Sequence, residues 1–100
     1  MEKNNNLQSS QQQLELQTQK HNLQTSLALA FERTGTEPYN IDNMISDILT
    51  EFPKLSNDDF TKAIRNGSLG KYGRVYKLST SEVCFWIREF INNKNSKLRL

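Results

Sequence analysis

Apolar residues recur every three or four positions in four stretches of the chain, as they do along one face of an amphipathic helix. The stretches are residues 14–33, 41–52, 56–66 and 79–91. In the first the stripe consists of Leu16, Leu23, Leu27, Ala30 and Phe31, and in the last of Val83, Trp86, Ile87, Phe90 and Ile91. The pattern predicts an all-α protein, a small domain of about four to five helices.

Two of these helices begin with a capping box. In the last helix, Ser79 can accept a hydrogen bond from an unpaired backbone N–H, and Glu82 can reach back to the N–H of Ser79. Ser56 and Asp59 repeat the arrangement in the third helix, with the shorter aspartate in the reciprocal position. Apolar residues flank each box and can close on each other as a hydrophobic staple. Both helix starts are therefore specified by the sequence.

The other predicted helix ends are marked by glycine, proline and a polar cap. Gly35 follows the first helix and Gly67 the third, and each is expected to stop its helix. Asn40 or Asp42 can cap the second helix. Pro53 should end that helix, because proline lacks the backbone N–H that a helix interior requires.

The composition of the chain changes near both ends. Residues 1–13 consist mainly of Asn, Gln and Ser, so they bury too little apolar surface to offset the entropy lost on ordering. We therefore predict a disordered tail over residues 1–13 and a single helical domain over residues 14–92. Residues 93–100 form a polar, basic tail, which is expected to fray or to follow phosphates.

The first helix contains a weak signal for self-association. Leu7 and Leu14, and again Leu16 and Leu23, are seven residues apart, which is the heptad interval of a coiled coil. Polar residues interrupt the seam between them. The helix over 14–33 is therefore interpreted in two ways: it docks on its own domain, or it contacts a protein partner or a second copy of the chain.

The segment before the last helix resembles a helix-turn-helix unit. Tyr72 takes the place of the apolar residue, Gly73 that of the small residue where two helices cross, and Leu78 that of the buried turn residue. Lys77 departs from the pattern, since many such turns have glycine there. The resemblance implies that the following helix, residues 79–91, is a recognition helix.

A longer string is similar to a pattern in small uncharacterised proteins of phages and mobile elements in Bacteroidota. It reads RNGSLGKYGRVYKL over residues 65–78 and is followed by WI at residues 86–87. This resemblance implies a setting in DNA replication or regulation, and it implies no particular activity.

Composition argues against several classes of function. Cys84 and His21 are the single cysteine and histidine in 100 residues, so no intramolecular disulfide can form and neither has companions at metal-ligand spacing. Paired carboxylates in an apolar setting and a catalytic triad are also missing, so neither an enzyme nor a cofactor is predicted. No apolar run reaches the roughly 20 residues that span a bilayer, and a cytoplasmic location without membrane contact is expected.

Charge is divided unevenly between the two halves of the chain. The net charge of +2 results from −5 over residues 1–60 and +7 over residues 61–100. A basic surface attracts nucleic acid irrespective of sequence, because lysine and arginine displace the counterions of the phosphates. The alternative is a solvated face that keeps the protein soluble or meets an acidic partner.

These observations define a predicted site for double-stranded DNA. Three cations before the last helix would contact phosphates, which fixes the register without reading sequence: Lys71, Arg74 and Lys77. Lys62 and Arg65 would extend this basic surface. The exposed positions of the recognition helix would be Thr80, Ser81, Phe85 and Arg88.

Phe85 motivates a second hypothesis. It projects opposite the apolar face of its helix, where a DNA reader more often has Arg, Asn or Gln. A lone aromatic in a polar surround is a plausible anchor for a protein partner. The alternative function is therefore a non-enzymatic interaction module, an adaptor or dimerising regulator, that uses Phe85 and the N-terminal helix.

Overall fold

A computed structural model describes the backbone of residues 2–75 and 77–99 and the side chains of residues 14–75 and 77–96. It contains four α-helices: α1 over Glu2–Thr34, α2 over Ile41–Glu51, α3 over Asn57–Ser68 and α4 over Thr80–Arg99. No β-strand occurs in the described residues. The prediction of a small all-α protein is confirmed.

Each helix packs against two others. α1 contacts α2 and α3, and α4 contacts the same two helices. The ends of α1 and α3 lie together, since the Arg33 guanidinium donates to the Ser68 hydroxyl at 3.1 Å. α4 runs antiparallel to α3. The ion pair between Lys94, in the last turns of α4, and Asp59, in the first turn of α3, shows this direction.

The core lies between the four helices, and every helix contributes to it. Most residues of the predicted apolar stripes are buried, as their helical spacing requires. Leu16 is an exception with 45% of its surface exposed, and Phe90 and Ile91 are half-buried. Tight packing of this kind removes apolar surface from water and is the main stabilising contribution to a domain of this size. The largest fully buried side chains are Trp86, Phe60, Leu23, Leu27, Ile48, Ile64, Ile87 and Val83.

α1 and α3 both end in a Schellman motif. After α3, the N–H of Gly70 donates to the carbonyl of Gly67, and the N–H of Lys71 donates to that of Asn66, both at 3.0 Å. Gly70 has a φ of 82°, which glycine adopts without steric cost. Gly35 has the same role after α1 with a φ of 66°, so its predicted role is confirmed. The prediction that Gly67 ends the third helix is wrong.

Gly67 lies inside α3 and faces α4. A Cβ atom at this position would overlap the indole ring of Trp86, which is fully buried. The missing side chain therefore gives the indole the space in which it packs against the α3 backbone.

Tyr72 and Gly73 do not occupy the positions that the helix-turn-helix resemblance implies. The resemblance places them where two helices cross, but both residues lie in the connection between α3 and α4, residues 69–79. Gly67 is the small residue between these helices instead. The connection is also longer than the turn of about three to four residues that joins the helices of such a unit. The Schellman motif explains the difference, because it ends the helix at Ser68, before Tyr72.

The two predicted serine caps are confirmed. The Ser56 hydroxyl accepts from the N–H of Asp59 at 3.1 Å, and the Ser79 hydroxyl accepts from that of Glu82 at 3.2 Å. The Glu82 carboxylate, however, accepts from the indole N–H of Trp86 at 3.1 Å. The predicted hydrogen bond to the N–H of Ser79 is thus replaced by one from the Trp86 indole. Without this bond, the buried indole N–H would have no acceptor in place of water.

α2 begins without a side-chain cap. Asn40 occupies the N-cap position with a φ of 50°, and its side chain makes no capping hydrogen bond. Asp42 lies in the first turn of the helix, where a negative charge is favourable. α2 ends at Glu51, two residues before Pro53, as proline requires.

α1 begins at Glu2 and α4 ends at Arg99. The side chains of residues 1–13 lie outside the described part of the chain, so the disordered tail and the domain limits remain predictions. Within the described residues, no helix is long and apolar enough to cross a membrane.

Candidate nucleic-acid interface

The first cations of the predicted site lie in the connection 69–79. Lys71, Arg74 and Lys77 are all exposed to solvent there. The connection is fixed at both ends: the N–H of Lys71 donates to the last turn of α3, and the N–H of Leu78 donates to the Thr36 hydroxyl at 3.0 Å. Arg74 is engaged in an interaction within the chain. The basic segment is thus held at one end by α3 and at the other by Thr36, which follows α1.

Lys71 lines a cleft of about 460 Å³ between α3 and α4, which we call the lysine cleft. The Asn66 amide donates to the Tyr72 hydroxyl at 3.3 Å, so the start of the connection folds back on α3. The polar side chains that line the lysine cleft are Lys62, Asn66, Lys71, Tyr72, Asn93 and Lys94. Asp59 and Phe90 complete its wall.

Two of the three lysines of the cleft are held by aspartates. Lys62 Nζ lies 2.9 Å from an Asp58 carboxylate oxygen, and Lys94 Nζ lies 3.1 Å from an Asp59 oxygen. The hydrogen bond to Asp58 and the charge of that carboxylate raise the pKa of Lys62, which keeps it cationic. Lys71 makes no ion pair within the described part of the chain.

Lys77 and Thr80 lie at a different place, where α2 and α4 begin. They line an open hollow together with Tyr39 and Asn40, and its volume is about 510 Å³. Thr80 is half-buried, and Lys77 is exposed. These two predicted site residues therefore do not line the lysine cleft.

The outer face of α4 holds the remaining predicted residues. The Ser81 hydroxyl contacts that of Ser79 at 3.2 Å, and Phe85 has 41% of its surface exposed. Arg88 forms an ion pair with Glu51 of α2 at 3.1 Å, and its guanidinium lies 5.8 Å from the centre of the Phe52 ring. Arg88 is thus engaged with the C-terminal end of α2.

Apart from Arg74, the predicted site residues lie in three places, and further residues join one of them. Asn66 and Lys94 join Lys71 in the lysine cleft, although the sequence analysis did not select them. Lys62, which was expected only to extend the basic surface, lies there as well. Lys62 and Asn66 are four residues apart on α3, a spacing that places both on one face. Lys94 lies in the segment 93–100, which was expected to fray or to follow phosphates, and its contact with α3 was not predicted.

Cys84 offers no chemistry of its own in this arrangement. Its side chain is buried against α2, and burial raises the pKa of the thiol, with smaller effects from Arg88, Glu51 and Asp47. A protonated, buried thiol is a poor nucleophile. Among the residues with described side chains, no group of three or more His, Cys, Asp or Glu could hold a metal ion.

Comparison of the chain with protein-family models, with curated proteins and with solved structures finds no match. The resemblance to helix-turn-helix units and to small proteins of mobile elements therefore remains a prediction from the sequence.

Proposed function

We propose that this chain is a small, non-enzymatic DNA-binding or replication accessory protein of a mobile element, and that its basic C-terminal half contacts double-stranded DNA. One observation supports this function above all: Lys71 and Lys77 are exposed on a connection that is hydrogen-bonded to α3 at one end and to Thr36, which follows α1, at the other. Cations whose backbone is already ordered lose less conformational entropy when they contact phosphates. The mobile-element setting is supported by the sequence resemblance alone.

The proposal is tested by fluorescence anisotropy with mixed-sequence duplex DNA between about 50 and about 200 mM salt, where several phosphate contacts change affinity by orders of magnitude. Lys71→Gln combined with Lys77→Gln should weaken binding and lower the salt slope by about 1.8, or about 0.9 for each contact. Arg74 is left unchanged because it has an interaction within the fold.

The matched control removes two exposed lysines from the acidic half of the chain. Lys20 lies on α1 and Lys54 in the connection between α2 and α3, and neither forms an ion pair within the described residues. Lys20→Gln with Lys54→Gln should leave the salt slope unchanged. Failure of the wild-type protein to bind at the low-salt limit would contradict the proposed function.

A protein-interaction module is the second candidate. It is supported by the exposure of Phe85 and by that of Leu14 and Leu29 on α1, which are 61% and 43% exposed. The ion pair between Arg88 and Glu51 supports it as well, because it makes Arg88 less available to DNA. Large exposed apolar side chains provide the anchors of many protein interfaces.

Sedimentation equilibrium separates the two surfaces of this candidate. A dimer that forms through residues 14–33 should be lost in Leu14→Ser with Leu29→Ser and kept in Phe85→Ser. A monomer at every concentration tested would exclude self-association and leave Phe85 as the anchor for a different protein.

A further inference from the structure

The lysine cleft has more lysines than aspartates in its wall. Three lysines and Asp59 line it, whereas Asp58 pairs with Lys62 but does not line the cleft. Lys71 makes no ion pair within the described residues. In the Lys62–Asp58 pair, 60% and 72% of the two side chains are exposed. Exposed pairs of this kind are weak, because water screens the charges and both side chains keep other conformations. Lys62 can therefore exchange Asp58 for another anion.

We propose that the lysine cleft binds a phosphate of the DNA backbone through Lys62, Lys71 and Lys94, and that Asp58 and Asp59 compete with this phosphate for two of the lysines. The inference deepens the proposed function and rests on it. It assigns the phosphate contact to the cleft between α3 and α4, and it gives the aspartates a role in setting the affinity.

The donor groups of the cleft suit a phosphate. Each ammonium group is a compact charge with three donors on a flexible stem, which allows it to turn from a carboxylate to a phosphate oxygen. The Tyr72 hydroxyl accepts a hydrogen bond from Asn66, which leaves its own hydrogen to donate. Lys71 is placed beside it by the Schellman motif of α3.

The two aspartates should differ in strength as competitors. The Asp59 side chain is only 17% exposed, whereas that of Asp58 is 72% exposed. Water screens the charge of the less exposed carboxylate to a smaller extent, so we expect Asp59 to be the stronger competitor. Removing the charge of Asp59 should therefore increase DNA affinity more than removing that of Asp58.

Anisotropy titrations with duplex DNA at about 150 mM salt, where the Debye length is about 8 Å, test the two parts of the proposal. Lys62→Gln with Lys94→Gln should weaken binding at least about threefold. This is about the factor by which one phosphate contact lowers the affinity when salt is raised from about 50 to about 200 mM. Asp59→Asn should tighten binding. Asp42→Asn, a change in the first turn of α2, is the matched control and should have little effect.

A double-mutant cycle distinguishes competition from a general change in net charge. If Asp59 acts through Lys94, the gain from Asp59→Asn disappears in a Lys94→Gln background. A gain that persists there would overturn the competing role of Asp59. Thermal melts of each variant confirm that the fold is retained.

The outcomes separate this proposal from the proposed function. Wild-type protein that does not bind DNA at low salt contradicts both. A second outcome separates them: DNA binding depends on Lys71 and Lys77, while Lys62→Gln with Lys94→Gln changes it no more than the Lys20 and Lys54 control does. This result would overturn the phosphate contact in the lysine cleft and leave the proposed function intact.

Discussion

α3 and α4 meet in two different ways along one interface. At Gly67 the helices are closed around the buried ring of Trp86. At Asn66, one residue earlier in the chain, the same pair opens into the lysine cleft. The closed part contributes to stability through the burial of apolar surface, and the open part presents charge to solvent. Stability and binding can therefore be changed separately in this pair of helices.

The largest effect on stability should come from removing the Trp86 ring from the closed part of the interface. Trp86→Ala removes a fully buried ring and leaves a cavity, and we expect it to lower the free energy of unfolding by about 3 to 5 kcal/mol. This is a large share of the stability of a domain of this size. Urea unfolding followed by circular dichroism measures the change. An unaltered midpoint would show that the ring does not belong to the core.

Adding a side chain at Gly67, in the closed part of the interface, should have the next largest effect on stability. Alanine is normally more stable than glycine inside a helix by about 1 kcal/mol, but at Gly67 its methyl group would overlap the Trp86 ring. We expect Gly67→Ala to destabilise the fold by about 1 to 3 kcal/mol, as overpacking does. Asn66→Ala, which changes the open side, is the control. In a Trp86→Leu background the effect of Gly67→Ala should become smaller, and an unchanged effect would contradict the close approach.

Removing the cap of α4 should have a smaller effect, because it acts at one end of the interface. Ser79→Ala deletes the oxygen that accepts from the N–H of Glu82 and should cost about 1 kcal/mol. Ser79→Asp, which keeps an acceptor at the N-cap, should restore most of the loss. Equal stability of both variants in denaturant unfolding would argue against the cap.

The smallest effect on stability is expected at the open side. Asp59→Asn breaks the ion pair with Lys94, whose side chain is 56% exposed, so solvent screening limits the expected loss to about 1 kcal/mol or less. The same substitution should tighten DNA binding. A loss as large as that of Trp86→Ala would show that the two parts of the interface are not separable.

Much of the fold is encoded in local patterns. The apolar spacing gave the four helices, and Ser56 and Ser79 marked two helix starts correctly, because a cap involves residues only three positions apart. The end of α3 was misplaced at Gly67 since two glycines compete for the role. Gly70 is the glycine that ends the helix. The packing of Trp86 against α3 explains why residue 67, inside the helix, is also a glycine.

The candidate site was less accessible to local reasoning. Lys71 was selected from the charge of its segment, but its neighbours in the cleft come from α3 and from the distant end of α4. Arg88 was expected to face DNA, yet the partner that engages it, Glu51, is on another helix. Contacts between helices depend on their packing, which the spacing of residues within one helix does not specify.

Trp86 also provides a means of observing the molecule without a label. It is the single tryptophan of the chain, so all indole emission originates at the contact between α3 and α4. A ring shielded from water emits at shorter wavelength than one in water, and unfolding should therefore shift the spectrum to the red. Since Trp86 does not line the lysine cleft, a ligand that occupies the cleft without disturbing the helices should leave the emission maximum in place.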